Sequence, residues 1–295
     1  MEQYLSRFLQ EFEYTAEATA SLMTDYGRIM ANEGARGLFE EILATYREDY
    51  ACDYGKLLAK CDEAAALCGT HPYAVRLLAF ICMSEHLRAL YEEKGIDLAV
   101  WRNSMLDLRY KTTECKLVKG IYGSFVASWF PRFFNLTRFA LGRLQFEVVP
   151  FKRSYEKNGK ILTPTSPVIN VHIPRTETPL DRESCLASYA EAKDFFKDQF
   201  TDTPMAFVCG SWLLFEKLRD FLPETANIIR FMNDYDVIET TYAEEGDYTS
   251  LWRIFDMDCS NLDALPEDST LRRAYKAYAK SGARLGNGFG VFFAE

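Results

Sequence analysis

At 295 residues, with 48% hydrophobic and 26% charged residues, the chain has the composition of a folded globular protein and the length of about two domains. Its net charge of -9 disfavours general capture of nucleic acid or an anionic membrane, and leaves room for a local basic site that takes an anionic small molecule. No apolar run reaches the roughly 18 residues of a membrane helix, and the opening MEQYLSRFLQEFEYTAEATA lacks the basic start and apolar core of a secretory signal, so a cytoplasmic location is expected.

In such a compartment the 8 cysteines are reduced thiols. There is no CxxC pair, and the only histidines are His71, His86 and His172, so no metal site is expected. Residues 1 to about 130 are read as helices. Leu5, Phe8, Leu9 and Phe12 recur at helical spacing, and Leu38, Phe39, Ile42, Leu43 and Tyr46 repeat the pattern. A helix opens near Pro72 and ends near Gly95, the expected punctuation, and another runs from about Asp97 to Val118. Gly120, Gly123 and Pro131 close this region.

From about residue 136 the period changes. RLQFEVVPF alternates as a strand, SYEKNGKILT is a hairpin about Asn158-Gly159, and VINVHIP is a strand that feeds a helix over 181–200. MAFVCGSWLL is an apolar strand buried on both faces. FEKLRDFL and NIIRFMNDY are short helices, DVIETTYA a strand, STLRRAYKAYAKSG a helix and GFGVFFAE a last strand. The glycines of RLGNGFGVFF are read as a turn into that strand, because no helix follows them as a phosphate loop requires. Strands interleaved with helices predict a mixed α/β sheet, and the whole chain an α+β protein: an all-α domain over 1–135, then a mixed α/β domain over 136–295.

The chemistry concentrates in VINVHIPRTETPLDRESC. The first amides of the helix that follows the strand lack intrahelical partners, and the helix dipole adds partial positive charge there. Arg175 and Arg182 supply charge-assisted donors, and Thr176, Thr178 and Ser184 supply hydroxyls, so these five are candidate binders of a phosphate. The competing reading is a junction capped by Thr178 or Asp181 with solvated arginines; Glu177 and Asp181 oppose an anion.

His172 shares one face of its strand with Asn170 and is a candidate general base, or else a structural histidine. Glu147, a carboxylate inside an apolar strand, is a candidate for proton transfer, the alternative being an ion pair with Arg143 or Arg153. Tyr242, in an acidic segment of the kind that attracts a cationic amine, is a candidate phenolic proton donor. Cys209 and Ser211 suggest a nucleophile beside His172, but no G-x-S-x-G elbow surrounds Ser211, and Cys209 reads as a small buried residue.

Three stretches, RFALGRLQFEVVP, VHIPRTETPLDRESCLASYAEAKDFF and FVCGSWLLFEKLRDFLPETANIIRF, resemble in order and spacing the bacterial two-domain acyltransferase-like proteins. Those have a helical N-acyltransferase N-terminal domain and a GNAT-like C-terminal domain. The resemblance implies acyl-CoA or acetyl-CoA as cosubstrate, a small-molecule amine as acceptor, and direct attack without a covalent intermediate. It implies that CoA lies where VINVHIP and MAFVCGSWLL part, with its pyrophosphate at the start of the 181–200 helix. GNAT enzymes carry Q/R-x-x-G-x-G/A at that loop; RTETPLD has no glycine, and only Arg175 matches. A non-catalytic small-molecule or peptide-binding module on the same scaffold is therefore the alternative.

Overall fold

The computed structural model describes residues 1–294. Two compact units divide the chain, one spanning Met1–Phe139 and the other beginning at Ala140.

The first unit is helical: α1 Glu2–Glu11, α2 Ala16–Ala31, α3 Glu33–Glu48, α4 Tyr54–Cys68, α5 Pro72–Glu93, α6 Leu98–Lys119 and the single turn α7 Pro131–Phe134. Side-chain oxygens of Thr15, Asn32, Asp53 and Asp97 accept amides of the first turns of α2, α3, α4 and α6, which sets where those helices begin. Gly69 and Gly120 end α4 and α6 in the left-handed conformation. The apolar faces read from sequence are buried at Leu5, Phe8, Leu9 and Phe12 of the first and Phe39, Ile42, Leu43 and Tyr46 of the second, while Leu38 is half-buried. The helix from Pro72 carries buried residues on all sides, from Ala74 to Tyr91, because it packs against α1, α2, α3, α4 and α6.

The second unit is built on a mixed sheet. Its strands are β1 Arg138–Leu141, β2 Leu144–Pro150, β5 Pro167–His172, β6 Ala206–Ser211, β7 Asp236–Tyr242 and β8 Gly286–Phe293, with β3 Tyr155–Lys157 and β4 Lys160–Leu162 forming a separate hairpin. The order across the six-stranded sheet is β1-β2-β5-β6-β8-β7. β5 and β6 run parallel, and the helix α8 Arg182–Phe196 makes the crossover between them. The short helices α9 Asn227–Met232 and α10 Trp252–Phe255 and the longer α11 Thr270–Lys280 follow β6.

Alternation along the strands separates two apolar layers. Phe207 and Phe292 stack at 4.9 Å and, with Phe146, pack against Tyr189 of α8. The opposite face gathers Val168, Val208 and Val291 with Phe151 and Leu162, all almost fully buried. Burial of each such side chain contributes about 2 kcal/mol.

Several boundaries differ from the sequence reading. The strand expected to reach Pro174 stops at His172, because a proline has no amide to donate to a ladder. The apolar run 205–214 leaves the sheet at Ser211, whose side chain accepts the Leu213 amide at 3.2 Å and starts a 3-10 turn over Trp212–Leu214. The segment FEKLRDFL is likewise a 3-10 turn, Glu216–Asp220. The crossover helix ends at Phe196, and β1 was not foreseen. In the last strand, Ala294 lies beyond β8 and Glu295 lies outside the described residues.

The glycines near the chain's end form no turn. Gly286, Gly288 and Gly290 lie inside β8 and share a face. A Cβ on Gly288 would sit 2.0 Å from the Leu214 carbonyl oxygen, and one on Gly286 or Gly290 would strike Phe215 or Tyr235. Their missing side chains let the 3-10 turn and Tyr235 lie on the sheet. Gly288→Ala is therefore expected to destabilise the protein by about 2 kcal/mol or more, since backbone faces the added methyl; thermal unfolding followed by circular dichroism measures it.

The hairpin is tied to the far edge of the sheet by Asp236, which accepts hydrogen bonds from Tyr155 and, at 2.6 Å, from Lys157. Those bonds hold the Asp236 carboxyl below its ordinary value. A lowered carboxyl contributes stability that is present above the unfolded value, about pH 4, and lost as pH falls through the folded one. The stability difference between the wild type and Asp236→Asn should therefore shrink as urea unfolding is repeated from pH 7 downward into that range.

Candidate functional site

The antiparallel register of β2 and β5 sets Glu147 across from Asn170 and Gln145 across from His172. Because side chains alternate, these four project to one face, the side away from α8. There His172 Nε2 lies 2.7 Å from Glu147 Oε1. Asn170 Nδ2 lies 3.3 Å from the same oxygen and 3.2 Å from His172 Nε2. Glu147 is 4% exposed, a poorly solvated place where a hydrogen-bonded imidazole is a strong partner for a carboxyl group. With the Nε2 proton donated to the carboxylate, the imidazole lone pair lies on Nδ1.

Arg143 and Arg153, weighed as partners of Glu147, each make contacts of their own. The Arg143 guanidinium donates to the carbonyls of Pro179 at 3.2 Å and Pro174 at 3.0 Å, bracing the segment before α8. Arg153 pairs with Glu239 at 2.6 Å and covers the Phe289 ring.

Beside the polar cluster the sheet parts. The β5–β6 ladder comprises Ile169↔Phe207 and Asn170↔Val208, although β5 continues to His172 and β6 to Ser211. Beyond Asn170 and Val208 the two strands no longer pair with each other, which leaves their facing backbone edges unpaired next to His172.

The chain then crosses to α8. Asp181 caps this helix, accepting the Ser184 amide at 2.8 Å, while the Ser184 hydroxyl donates to the Asp181 carbonyl at 3.1 Å. That amide hydrogen bond holds the Asp181 carboxyl below its usual range. Of the two caps considered from sequence, Asp181 is the one used. Thr176 donates to the Thr178 carbonyl at 3.0 Å, and their hydroxyls lie 3.1 Å apart. Neither arginine is merely solvated: Arg175 pairs with Asp256 and Arg182 with Asp234. The second pair is asymmetric. The carboxylate raises the Arg182 guanidinium, whereas burial outweighs the arginine and pushes Asp234 up.

Arg182 also borders a groove of about 560 Å3 along α8. Tyr189, Phe207 and Phe292 line its apolar part, and Lys157, Lys160 and Lys193 bring further positive charge. In a chain of net charge -9 this is a local basic surface. Sequence reasoning missed the three lysines, which come from the hairpin and the middle of α8 rather than from one motif.

Tyr242 is not brought to Glu147 and His172. It lies on β7, the edge strand, three strand spacings or about 14 Å from β5. Opposite Gly286, it packs edge-on against Phe215 at 5.6 Å, on the α8 side of the sheet. Cys209 and Ser211 also alternate onto that side, away from His172, so they form no nucleophile–base pair with it. Ser211 caps the 3-10 turn, and complete burial pushes the Cys209 thiol far above its ordinary value. Among the described residues no group of His, Cys, Asp and Glu is arranged to hold a metal ion, and no helix is long and apolar enough to cross a membrane.

A mixed sheet that parts between its two parallel central strands, with a helix entering at the gap, defines a GNAT-like domain. The chain belongs to the two-domain acyltransferase family that joins this domain to a helical one: residues 3–136 match the N-acyltransferase N-terminal domain and residues 138–292 the GNAT-like C-terminal domain. No curated protein matches it. Among solved structures, an acyltransferase in complex with decanoyl-CoA and teicoplanin is similar at TM-score 0.73 and 22% identity, covering 97% of this chain and 86% of that one. An acyltransferase in complex with decanoyl-CoA gives 0.74 and 20%, with the same coverage. These likenesses establish a shared fold.

Cys209 should resist alkylation: iodoacetamide at pH 8 is expected to leave it unmodified in the native protein and to modify it after guanidinium denaturation, read by peptide mass spectrometry.

Proposed function

We propose that the protein is an acyl-CoA-dependent N-acyltransferase whose chemistry is carried by residues 136–295. The observation that carries this reading is the end of the parallel β5–β6 ladder beside the Glu147–His172 pair. An extended amide-bearing chain such as the pantetheine arm would take hydrogen bonds from the parted strand edges, as an added strand does. Its phosphates would lie toward α8, with Arg175, Arg182, Thr176, Thr178 and Ser184 as the proposed contacts. The basic groove of Lys157, Lys160 and Lys193 supports a polyanionic ligand.

In the reaction an acceptor amine attacks the thioester carbonyl directly. The nitrogen forms the new amide bond, the carbon–sulfur bond breaks, and the thiolate leaves to be protonated by solvent. His172 Nδ1 takes the proton that the amine loses. Glu147 holds the imidazole in that tautomer and stabilises the imidazolium, the division of labour of a histidine–carboxylate pair. Tyr242 has no part in this scheme, because it lies on the other side of the sheet. Most of the rate would come from holding amine and thioester together, with proton transfer adding about 10²–10⁴-fold. The acceptor is a small-molecule amine. The structures complexed with decanoyl-CoA include one that also holds teicoplanin, which favours acceptors larger than a simple amine and acyl chains longer than acetyl.

The alternative, a binding module without catalysis, is favoured by one observation: the capping amide and both arginines before and within α8 are already partnered by carboxylates. Calorimetric titration with decanoyl-CoA, followed by acylation assays over a panel of amines, separates the readings. Binding with amide formation is expected. Binding with no amine acylated supports the module, and no binding at millimolar concentration removes both the donor and the enzyme reading. His172→Ala should lower kcat by about 10²–10⁴-fold with little change in the dissociation constant of the acyl-CoA. Glu147→Gln should lower kcat less and shift its pH profile.

A further inference from the structure

Arg175 and Arg272 reach Asp256 from different parts of the second unit. Arg175 comes from the segment between β5 and α8, and Arg272 from α11. They take different oxygens of the one carboxylate: Arg175 pairs with Oδ1, and Arg272 Nη2 donates to Oδ2 at 2.9 Å. Arg272 is fixed from two other sides, by the Ile254 carbonyl at 2.9 Å and Asp268 at 2.8 Å. Asp256 itself ends α10 with φ of 59°, a left-handed conformation that few residues other than glycine, asparagine and aspartate adopt. A small acidic residue is thus held in an uncommon backbone conformation with its carboxylate bridging two guanidiniums. Two guanidiniums converging from separate elements on a compact oxyanion is also how arginines receive a phosphate.

We propose that Arg175 and Arg272 form a two-arginine phosphate fork, and that Asp256 is an internal anion occupying it until a phosphate-bearing ligand displaces the carboxylate. The inference rests on the acyl-CoA reading for the identity of the natural ligand, whose pyrophosphate supplies the displacing oxygens. It adds Arg272, about a hundred residues from the loop that sequence reasoning singled out, as a binding residue. It also assigns Asp256 a competitive role: the carboxylate spares the fork an uncompensated charge in the empty protein and weakens ligand binding in exchange. The site recovers by charge convergence what its glycine-free loop forgoes in close backbone approach.

Calorimetry with inorganic pyrophosphate and, separately, with CoA tests the idea on the full chain. Asp256→Asn keeps a residue that tolerates positive φ and removes only the competing charge. It is expected to tighten pyrophosphate by about fivefold, the worth of one partly exposed ion pair. A variant that merely loosened the structure would not raise affinity. Adding Arg175→Gln or Arg272→Gln to Asp256→Asn should abolish the gain, and either alone should weaken pyrophosphate binding to the otherwise native protein. Equal or weaker pyrophosphate binding by Asp256→Asn, or none by either protein at millimolar concentration, overturns the fork. If Asp256→Asn gains pyrophosphate affinity while neither protein binds CoA, the fork stands and the acyl-CoA reading falls.

Discussion

The shortness of the parallel ladder between β5 and β6 is the constraint on which the second unit depends. Two paired positions, Ile169↔Phe207 and Asn170↔Val208, are enough to hold the strands in one sheet, because each is secured along its other edge by β2 or β8. Beyond them the backbone edges separate. The separation sets the polar side chains of β2 and β5 beside a gap, and the chain that leaves β5 must travel around it before α8 begins. The two sides of the sheet accordingly differ in character. The side under α8 is a stacked aromatic layer, and the other combines a core of valines, leucine and phenylalanine with the Glu147–His172 pair.

Electrostatics in this unit follow a single pattern. Arg175, Arg182 and Arg153 each meet a carboxylate distant in sequence. The protein thus neutralises these arginines internally. An anionic ligand drawn to these arginines would bind by exchange, replacing an existing partner rather than filling a bare positive site. Such exchange yields less net affinity per contact and sharper discrimination, because a ligand that offers too few oxygens leaves an arginine worse off than before.

Much of the architecture was legible in the sequence. The switch in period near residue 136 marked where helices give way to strands, and alternation alone put Asn170 and His172 on one face. The similarity of three spaced motifs supplied the family. The sequence did not reveal what depends on register. Glu147 meets His172 only because β5 returns antiparallel to β2 after the β3–β4 hairpin, a pairing that periodicity does not specify. Tyr242 looked available in an acidic segment, but β7 reaches the sheet on the far side of β8 and turns that ring toward Phe215. The glycines of β8 look like turn formers in one dimension, and their need is visible only when Leu214 is seen lying on them. The partners of Arg175 and Arg182 lie 81 and 52 residues away, beyond any local pattern.

The position of β8 bears on how this unit is made. It follows both β6 and β7 in sequence, yet it lies inside the sheet between them. During synthesis β6 and β7 are complete long before the strand that joins them, so one edge of each waits without a partner. Residues 286–293 act as a keystone that arrives after both of its neighbours, and contacts of such long sequence separation form slowly. The unit's exposure to mispairing is thereby concentrated in the interval between the completion of β7 and the arrival of β8.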